Sequence, residues 1–414
     1  MHNYINEKCV KRRVDMQLKL LNFHKMLANF SMSLVGGFVP LIIYKNTGSV
    51  FWAVFYLFVM YLINFIINCI FRNQFTKRPQ LFLVLRAIPI LIYSLSVLLL
   101  DVNFVWGIIL VTIFYAFNLS FKGNSTEIIL NYSVSQDTNT KSLGLTRVFE
   151  QVGTIVAQIS GALFLDYLNT FVLIIIAISV YLVSTIPLLM YYITSRKQKG
   201  FNTEMTSNAL VQFAQNEDKT AKGKKVAKQI LFQYGLMYYL VAFLDSFLDL
   251  FNIYIYVKTG QFIYAGYFSA IYNTMYAVSS YVVGFVSAKH DTTILSSICM
   301  GINAISVIVV IYIPIVWVQM ILFGIIGFAY PFYSLFIIER MLAKTRILGV
   351  SNRAILLRDK MSVLGKASVI SPSLFVPLVP SFIVMGIALA IGGAYLPFGE
   401  EHSRKNLINY LEGD

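Results

Sequence analysis

The apolar runs that recur along the chain are the feature that most restricts its fold. Each run has about 20 residues, the length at which an α-helix crosses the hydrocarbon core of a bilayer. Backbone groups in lipid must bond internally, so runs of this length are read as helices. With 57% hydrophobic and 13% charged residues among 414, the chain has too little polar surface for a soluble globule. We therefore predict an all-α integral membrane protein with twelve transmembrane helices, at 22–44, 49–71, 80–100, 104–130, 144–165, 170–193, 229–257, 262–287, 292–313, 315–338, 356–378 and 380–397.

One long polar stretch, from Thr194 to Lys228, interrupts the apolar runs. It is basic, because eight Lys and Arg residues face only three acidic residues. Six apolar runs lie on each side of it. The sequence therefore predicts an N-terminal six-helix bundle at 1–193, a basic cytoplasmic linker at 194–228, and a C-terminal six-helix bundle with a short tail at 229–414. A short interfacial helix is expected within the linker, at 208–215.

The Lys and Arg residues lie almost entirely on one side of this topology. Of the 33 in the chain, only Lys45 and Lys258 fall in loops on the other side. Cytoplasmic loops carry such an excess. We therefore predict a multi-pass protein of the plasma membrane with both termini in the cytoplasm. The net charge of +14 is dispersed between apolar runs rather than gathered on one face, which disfavours nucleic-acid binding.

The two halves show weak similarity to each other at a spacing of about 210 residues. In each half, a helix with a cluster that begins with a tyrosine, Tyr115 or Tyr330, precedes a basic loop. A helix rich in small residues follows, at 153–162 or 365–373, and then a very apolar helix. Parallel six-helix repeats of this kind are a known plan for transporters.

Two local motifs accompany this layout. The loop after helix 2 reads Asn-Gln-Phe-Thr-Lys-Arg at 73–78, and helix 5 carries Gly153 followed by Ala-Gln-Ile-Ser-Gly-Ala at 157–162. With the layout of six plus six helices, these stretches resemble the loop motif and the exporter motif of the major facilitator superfamily. The resemblance implies two pseudo-symmetric bundles, a cavity lined by helices 1, 4, 7 and 10, and a bias toward export. The small residues at every fourth position also predict a packing groove on helix 5.

Two carboxylates lie inside predicted helix 7. Asp245 and Asp249 are four residues apart, so they share one helix face at a separation of about 6 Å. A charged side chain near the middle of a span costs about 2.5 to 3.5 kcal/mol to insert, so it is normally paired or faces a cavity. We expect a proton-coupling or substrate-binding pair in which Asp245 carries the proton and Asp249 modulates it. The alternative is a structural pair between Asp245 and a base, with Asp249 near the outer interface.

Further charged residues fall near the predicted cytoplasmic ends of helices 3, 4, 5 and 11. They can form an inner gate of charge pairs that breaks and reforms, or they can anchor helix ends at the membrane interface. The candidates for the gate are Arg86, Arg147, Asn73, Lys77 and Arg78. The further candidates for proton coupling or substrate binding are Glu150, Glu127, Lys366 and Asn29, with Lys122 in the same charged group. For Asn29, in a helix 1 rich in small residues, packing is the alternative role.

No enzyme signature is found in the sequence. The four histidines have no ligand spacing, and neither a phosphate-binding Gly-rich loop nor a Ser, His and Asp set is present. The three cysteines predict neither a disulfide nor a metal site, so no cofactor is expected. The leading hypothesis is a monomeric, proton-coupled antiporter that exports amphipathic small molecules by alternating access. This hypothesis expects an aromatic cavity with few fixed charges. The alternatives are a flippase for a lipid or lipid-linked precursor, and a membrane sensor or scaffold that does not transport.

Overall fold

The computed structural model describes the backbone of residues 2–133, 139–196, 221–286 and 291–412 and the side chains of 19–129, 147–193, 223–286 and 291–412. Twelve long helices follow one another along these ranges, which confirms the predicted all-α fold class. Their bounds are α1 His2–Gly36 and Val39–Thr47, α2 Val50–Ile70, α3 Pro79–Leu85 and Ala87–Val102, α4 Phe104–Ser133, α5 Asn139–Tyr167, α6 Thr170–Arg196, α7 Ala221–Thr259, α8 Phe262–Val286, α9 Thr293–Tyr312, α10 Val316–Ile347, α11 Ser351–Ile370 and α12 Leu378–Leu411.

Several helices are longer than the apolar runs that predict them. The first helix begins at His2, so the basic segment before residue 22 is helical. Helix α7 begins at Ala221 rather than at 229, and α12 continues to Leu411 rather than ending at 397. Lys, Arg and Glu are good helix formers, so hydropathy alone misses such polar helix ends. The remaining linker residues, including the helix expected at 208–215, lie outside the described part of the chain.

Helix α11 lies several residues earlier than its predicted span of 356–378. It runs from Ser351 to Ile370 and ends shortly before Pro372. Proline lacks a backbone N–H and cannot donate the next helical hydrogen bond, so the regular α-helix stops here. The predicted span leaves residues 351–355, the first five of this helix, in a cytoplasmic loop. The structure instead places them in a helix that packs inside the bundle.

Ten helices of the described chain are long and apolar enough to cross a membrane. The two that fall short are α8, which is rich in Tyr and Ser, and α11, which carries five charged residues among 20. These two helices also form the most extensive contacts between the two halves, α8 with α5 and α11 with α2. Side chains that face protein rather than lipid need not be apolar. The chain is a multi-pass membrane protein, and the two helices that fall short of the apolar criterion pack between its halves.

The packing of the helices repeats after six. In the first half, α1 packs on α5 and α6, and α4 packs on α2 and α3. In the second half, α7 packs on α11 and α12, and α10 packs on α8 and α9. Every one of these contacts therefore has a counterpart six helices later, as the predicted pair of bundles requires. The halves meet along two equivalent seams, α5 with α8 and α2 with α11.

Glycines bring equivalent helices into close contact in the two halves. A Cβ atom on Gly153 of α5 would lie 2.2 Å from the carbonyl oxygen of Met26 in α1. A Cβ atom on Gly365 of α11 would lie 2.5 Å from the carbonyl oxygen of Tyr239 in α7. Small residues permit such approach between membrane helices. The packing groove predicted on helix 5 is confirmed, and its partner is α1.

The helix ends define two faces of the bundle. We call the face that carries residues 72–78 the basic face, and the face where α1 ends at Thr47 the opposite face. At the opposite face, Asp166 of α5 accepts hydrogen bonds from the backbone N–H groups of Phe262 and Ile263, at 3.1 and 2.8 Å. These N–H groups begin α8, and a carboxylate is favourable at a helix N-terminus. The bonds join the two halves at this face.

Candidate functional site

A cavity with two lobes lies between the halves. The larger lobe has a volume of about 490 Å³ and is lined by α4, α5, α7, α8, α10 and α11. The smaller lobe has a volume of about 370 Å³ and is lined by α1, α2, α4, α7 and α11. Asp249, Asp359, Ser362 and Lys366 line both lobes and mark the boundary between them. The four helices that the family resemblance assigns to a cavity, α1, α4, α7 and α10, all contribute.

Asp245 lies on the larger lobe and has a basic partner. Its carboxylate is 3.2 Å from the ammonium group of Lys366 in α11, and it accepts a hydrogen bond of 3.0 Å from the hydroxyl of Tyr330 in α10. The side chains of Asp245 and Lys366 keep 27% and 20% of their surface exposed. An ion pair that lines a cavity can be opened by a proton or a solute, because both reach it without disrupting the core.

Asp249 lies one helical turn further along α7 and contacts the other half. The hydroxyl of Tyr61 in α2 donates a hydrogen bond of 2.5 Å to its carboxylate. The ammonium group of Lys366 lies 5.2 Å from the centre of the Tyr61 ring, within the range of a cation–π contact. Both predicted carboxylates and the predicted Lys366 therefore belong to one cluster, and Tyr61 ties that cluster to the N-terminal half.

A second charge cluster lies toward the basic face. Glu150 of α5 is 3.1 Å from Lys25 of α1 and 3.0 Å from Arg147. Arg147 also reaches Glu127 of α4, at 2.7 Å. Glu127 in turn lies 3.5 Å from Arg358 of α11, which is in the other half. The acids and Arg147 that the sequence singled out thus form a network that bridges the two halves.

The other predicted residues lie away from the cavity lining. Arg86 is buried at the break in α3 and donates a hydrogen bond of 2.7 Å to Asn118 within the same half. Asn29 is buried in α1, and Asn73, Lys77 and Arg78 are exposed at the basic face. None of these residues is part of either lobe. Their assignment to a gate or a binding site stays a prediction.

The expectation of a cavity with few fixed charges is wrong. The larger lobe does carry aromatic side chains, including Tyr272 and Tyr276 of α8. It is also lined by seven charged residues: Lys122, Arg147, Asp245, Asp249, Arg358, Asp359 and Lys366. A few charged residues on one helix face barely lower the mean hydropathy of a long apolar run, so hydropathy alone does not reveal them.

Sequence reasoning missed several residues of the site. Tyr61 supplies the contact with Asp249, and Arg358 supplies the contact with Glu127. The apolar pattern places Lys25 within helix 1 without indicating a role, although Lys25 is buried against Glu150. Pairing each acid inside a span with each base inside a span would have identified Lys25 as a candidate partner. No such signal distinguishes Tyr61 among the 26 tyrosines of the chain.

No protein-family model matches the sequence, and no curated protein matches it. Solved structures do share its architecture. The proton:xylose symporter XylE of the major facilitator superfamily has a TM-score of 0.68 at 12% identity, over 93% of this chain and 95% of that chain. A bacterial homologue of the iron transporter ferroportin in an outward-facing state has a TM-score of 0.64 at 12% identity, over 94% and 99%.

The fucose:proton symporter FucP of E. coli has a TM-score of 0.58 at 11% identity, over 92% of this chain and 98% of that chain. At such low identity the likeness concerns the fold alone. The chain has the major facilitator fold, and the resemblance predicted from its layout and motifs is confirmed at that level.

Proposed function

We propose that the protein is a secondary transporter that binds its solute in the two-lobed cavity and couples transport to protons through Asp245. The observation that carries the proposal is the pair between Asp245 and Lys366, which is 3.2 Å long, joins the membrane-spanning helix α7 to α11 and is open to the cavity. An ionised residue at such a position is costly and is normally functional. A second support is the fold, which is shared with solved structures described as proton symporters.

The geometry connects a proton on Asp245 to the relative position of the halves. Protonation removes the negative charge that Lys366 binds, so the pair between α7 and α11 weakens. Asp249 is on the same face of α7 and accepts its hydrogen bond from Tyr61 of the other half. A shift of α7 therefore changes a contact between the halves. This arrangement supports alternating access, in which the halves rock around a central site.

The charged lining of the larger lobe favours a polar or charged organic solute over a purely amphipathic one. The solved structures with this fold include transporters of xylose and fucose and a homologue of an iron transporter, so the fold itself does not select a substrate. Export across the plasma membrane, predicted from the helix 5 motif, is retained as part of the proposal, as are cytoplasmic termini and a monomeric protein.

Proton movement in vesicles tests the proposal before the solute is identified. The purified protein is reconstituted with a trapped pH-sensitive dye, and sugars, organic anions and amphipathic cations are added one at a time without a pH gradient. We expect at least one class to move protons in the wild type, and Asp245→Asn to abolish this signal. The matched control is Asp101→Asn, because Asp101 is exposed near the opposite face, where its carboxylate accepts a hydrogen bond from Asn46.

The sign of the signal decides the direction of coupling. An antiporter moves protons against the solute, as the export prediction requires, whereas a symporter moves them with it. Asp245→Asn vesicles that move protons at the wild-type rate would contradict the assignment of Asp245. A wild-type protein that moves no protons with any class of solute would contradict proton-coupled transport itself.

A further inference from the structure

Lys122 of α4 is the one cation of the larger lobe that has no carboxylate partner among the described residues. The lobe contains three other cations. Arg147 is 2.7 Å from Glu127, Arg358 is 2.5 Å from Asp359, and Lys366 is 3.2 Å from Asp245. Within the described chain, Lys122 forms neither an ion pair nor a side-chain hydrogen bond, although it lines the same lobe.

A lone cation at this depth calls for an explanation. Lys122 lies within a membrane-spanning stretch of α4. A charged group in a low-dielectric site is costly unless a counter-charge or water reaches it. The nearby carboxylate of Glu150 already binds both Lys25 and Arg147. The cavity is therefore the place from which a counter-charge can approach Lys122.

Arg86 shows that an unpaired cation alone does not mark a site. It also has no carboxylate partner among the described residues, but it is only 2% exposed within its own half and bonds to Asn118. Arg86 lines neither lobe, so no solute can reach it through the cavity. Lys122 differs from Arg86 in one respect that matters for binding, which is its access to the cavity.

Other polar atoms of the larger lobe also lack partners in the described chain. The hydroxyl groups of Tyr238 and Ser334 and the side-chain carbonyl of Gln151 are buried without a hydrogen bond to any described residue. All three residues line the lobe together with Lys122. The two hydroxyls and the ammonium group are hydrogen-bond donors, which suit an acceptor that carries negative charge.

We propose that Lys122 binds an anionic group of the solute, so that the substrate is a small water-soluble molecule with a carboxylate or a phosphate. This inference rests on the proposed function, because it names the class of substrate for the same cavity. A lobe of about 490 Å³ is large enough for a small organic anion. Gln151 and the hydroxyls of Tyr238 and Ser334 then orient the remaining polar groups of the solute.

Thermal unfolding of the full-length purified protein tests the inference. The soluble anions are citrate and gluconate as carboxylates and glycerol phosphate as a phosphate. D-xylose and L-fucose serve as neutral solutes, tetraphenylphosphonium as a cation, and phosphatidylglycerol as a lipid that carries the same phosphate chemistry. We expect at least one soluble anion to raise the unfolding temperature of the wild type in a saturable manner.

Substitutions of Lys122 test whether this residue binds the anion. Lys122→Met should weaken the apparent affinity for that anion about 10- to 100-fold, the usual effect of losing a charge-assisted hydrogen bond. Lys122→Arg should retain part of the affinity. The matched control is Lys258→Met, because Lys258 is exposed at the opposite face and lines neither lobe. It should bind like the wild type.

Four results would overturn the inference: equal anion binding by Lys122→Met and the wild type, stabilisation by neutral or cationic compounds alone, stabilisation by phosphatidylglycerol alone, and no stabilisation by any soluble anion. These outcomes are separate from failure of the proposed function. If an anion binds through Lys122 but its addition to vesicles moves no protons, the binding site stands and proton-coupled transport fails.

Discussion

Two ion pairs occupy equivalent helix contacts in the two halves and differ in their access to the cavity. Glu150 of α5 binds Lys25 of α1 at 3.1 Å, and their side chains are only 6% and 5% exposed. Lys366 of α11 binds Asp245 of α7 at 3.2 Å, and these side chains are 20% and 27% exposed. The order of the charges is reversed between the halves, since the acid lies on α5 in the first pair and on α7 in the second.

The two pairs also lie at different depths. Glu150 comes three residues before Gly153, whereas Lys366 comes one residue after Gly365, and these glycines make equivalent contacts. The second pair is thus displaced by about 6 Å, or one helical turn, along its helices. The first pair is sealed within a network that also contains Arg147. The first pair is therefore buried in the packing of its half, whereas the second lines the cavity.

The largest effect is expected from breaking the sealed pair. Glu150→Gln would leave Lys25 buried and Arg147 with one partner fewer, and breaking a buried pair costs about 3–5 kcal/mol. We expect a large fall in the unfolding temperature and a loss of monodisperse protein in size-exclusion chromatography. Glu401→Gln is the control, because the exposed pair with Lys405 should leave both readouts unchanged. If Glu150→Gln were nearly as stable as the wild type, the buried pair would not contribute more to stability than the pair that lines the cavity.

Adding one methyl group at each equivalent glycine tests whether the contact between α5 and α1 and the contact between α11 and α7 are packed equally tightly. Gly153→Ala and Gly365→Ala place a Cβ atom on a backbone carbonyl of the facing helix, so the helices must move apart. Overpacking of this kind costs about 1–3 kcal/mol. Thermal unfolding should show similar losses for both. Gly301→Ala is the control, because nothing lies within 4 Å of its Cβ position. A loss in only one half would contradict the equivalence.

The exposed pair should contribute less to stability than the sealed pair. Asp245→Asn leaves Lys366 beside a cavity that water can enter, so we expect a cost of about 1 kcal/mol or less. The unfolding temperature should fall by less than half of the fall seen for Glu150→Gln. A matching or larger fall would show that Asp245 has a structural role, which is the alternative that the sequence left open.

The smallest effect concerns a surface contact at the basic face. Asp291 accepts hydrogen bonds from the hydroxyl and backbone N–H of Thr293, at 2.6 and 3.1 Å, and lies 3.2 Å from Arg340. The bonds from Thr293, with Arg340, lower the pKa of Asp291 below its usual value of 3.8. A lowered folded-state pKa means that the stability is present above the unfolded-state pKa and is lost as the pH falls through the folded pKa.

Asp291→Asn should therefore lower stability by at most a few tenths of a kcal/mol at neutral pH, since exposed pairs contribute little. The difference from the wild type in thermal unfolding should shrink as the solution is acidified. A difference that grows on acidification would contradict this account of Asp291.

The sequence predicts the fold well because the bilayer imposes strong local rules. Apolar runs identify the helices, and the regular small residues around Gly153 identify a packing groove, since both patterns are local in the chain. The cavity is harder to predict. Arg358 lies near the start of predicted helix 11 without a predicted role, and its contact with Glu127 joins residues more than 200 positions apart. Such contacts depend on how the two halves meet, which no local pattern records.

The sequence shows that Asp245 lies deep in a predicted helix and that Lys366 is a base within another. It does not show that the two side chains pair. Two neighbouring helices can pack in several registers, and sliding one of them by one turn changes which side chains meet. Tyr61 is a similar case. Its hydroxyl reaches Asp249 from the other half, and only the three-dimensional position of α2 beside α7 and α11 distinguishes it from the other tyrosines.

The central claim is that the halves rock about the cavity under the control of Asp245, and distance measurements between spin labels test it most directly. One label pair, at Lys45 and Lys258, reports on the opposite face, and a second, at Asn73 and Ile347, reports on the basic face; all four positions are exposed. Cys9, Cys69 and Cys299 are replaced by serine in both. Distances are measured in lipid nanodiscs at mildly acidic and mildly alkaline pH.

We predict that acidification changes the two distances in opposite directions in the otherwise wild-type protein, because opening one face closes the other. Asp245→Asn should hold one set of distances at both pH values, whereas Asp101→Asn should respond like the wild type. Distances that do not depend on pH, or a wild-type response in Asp245→Asn, would contradict the claim.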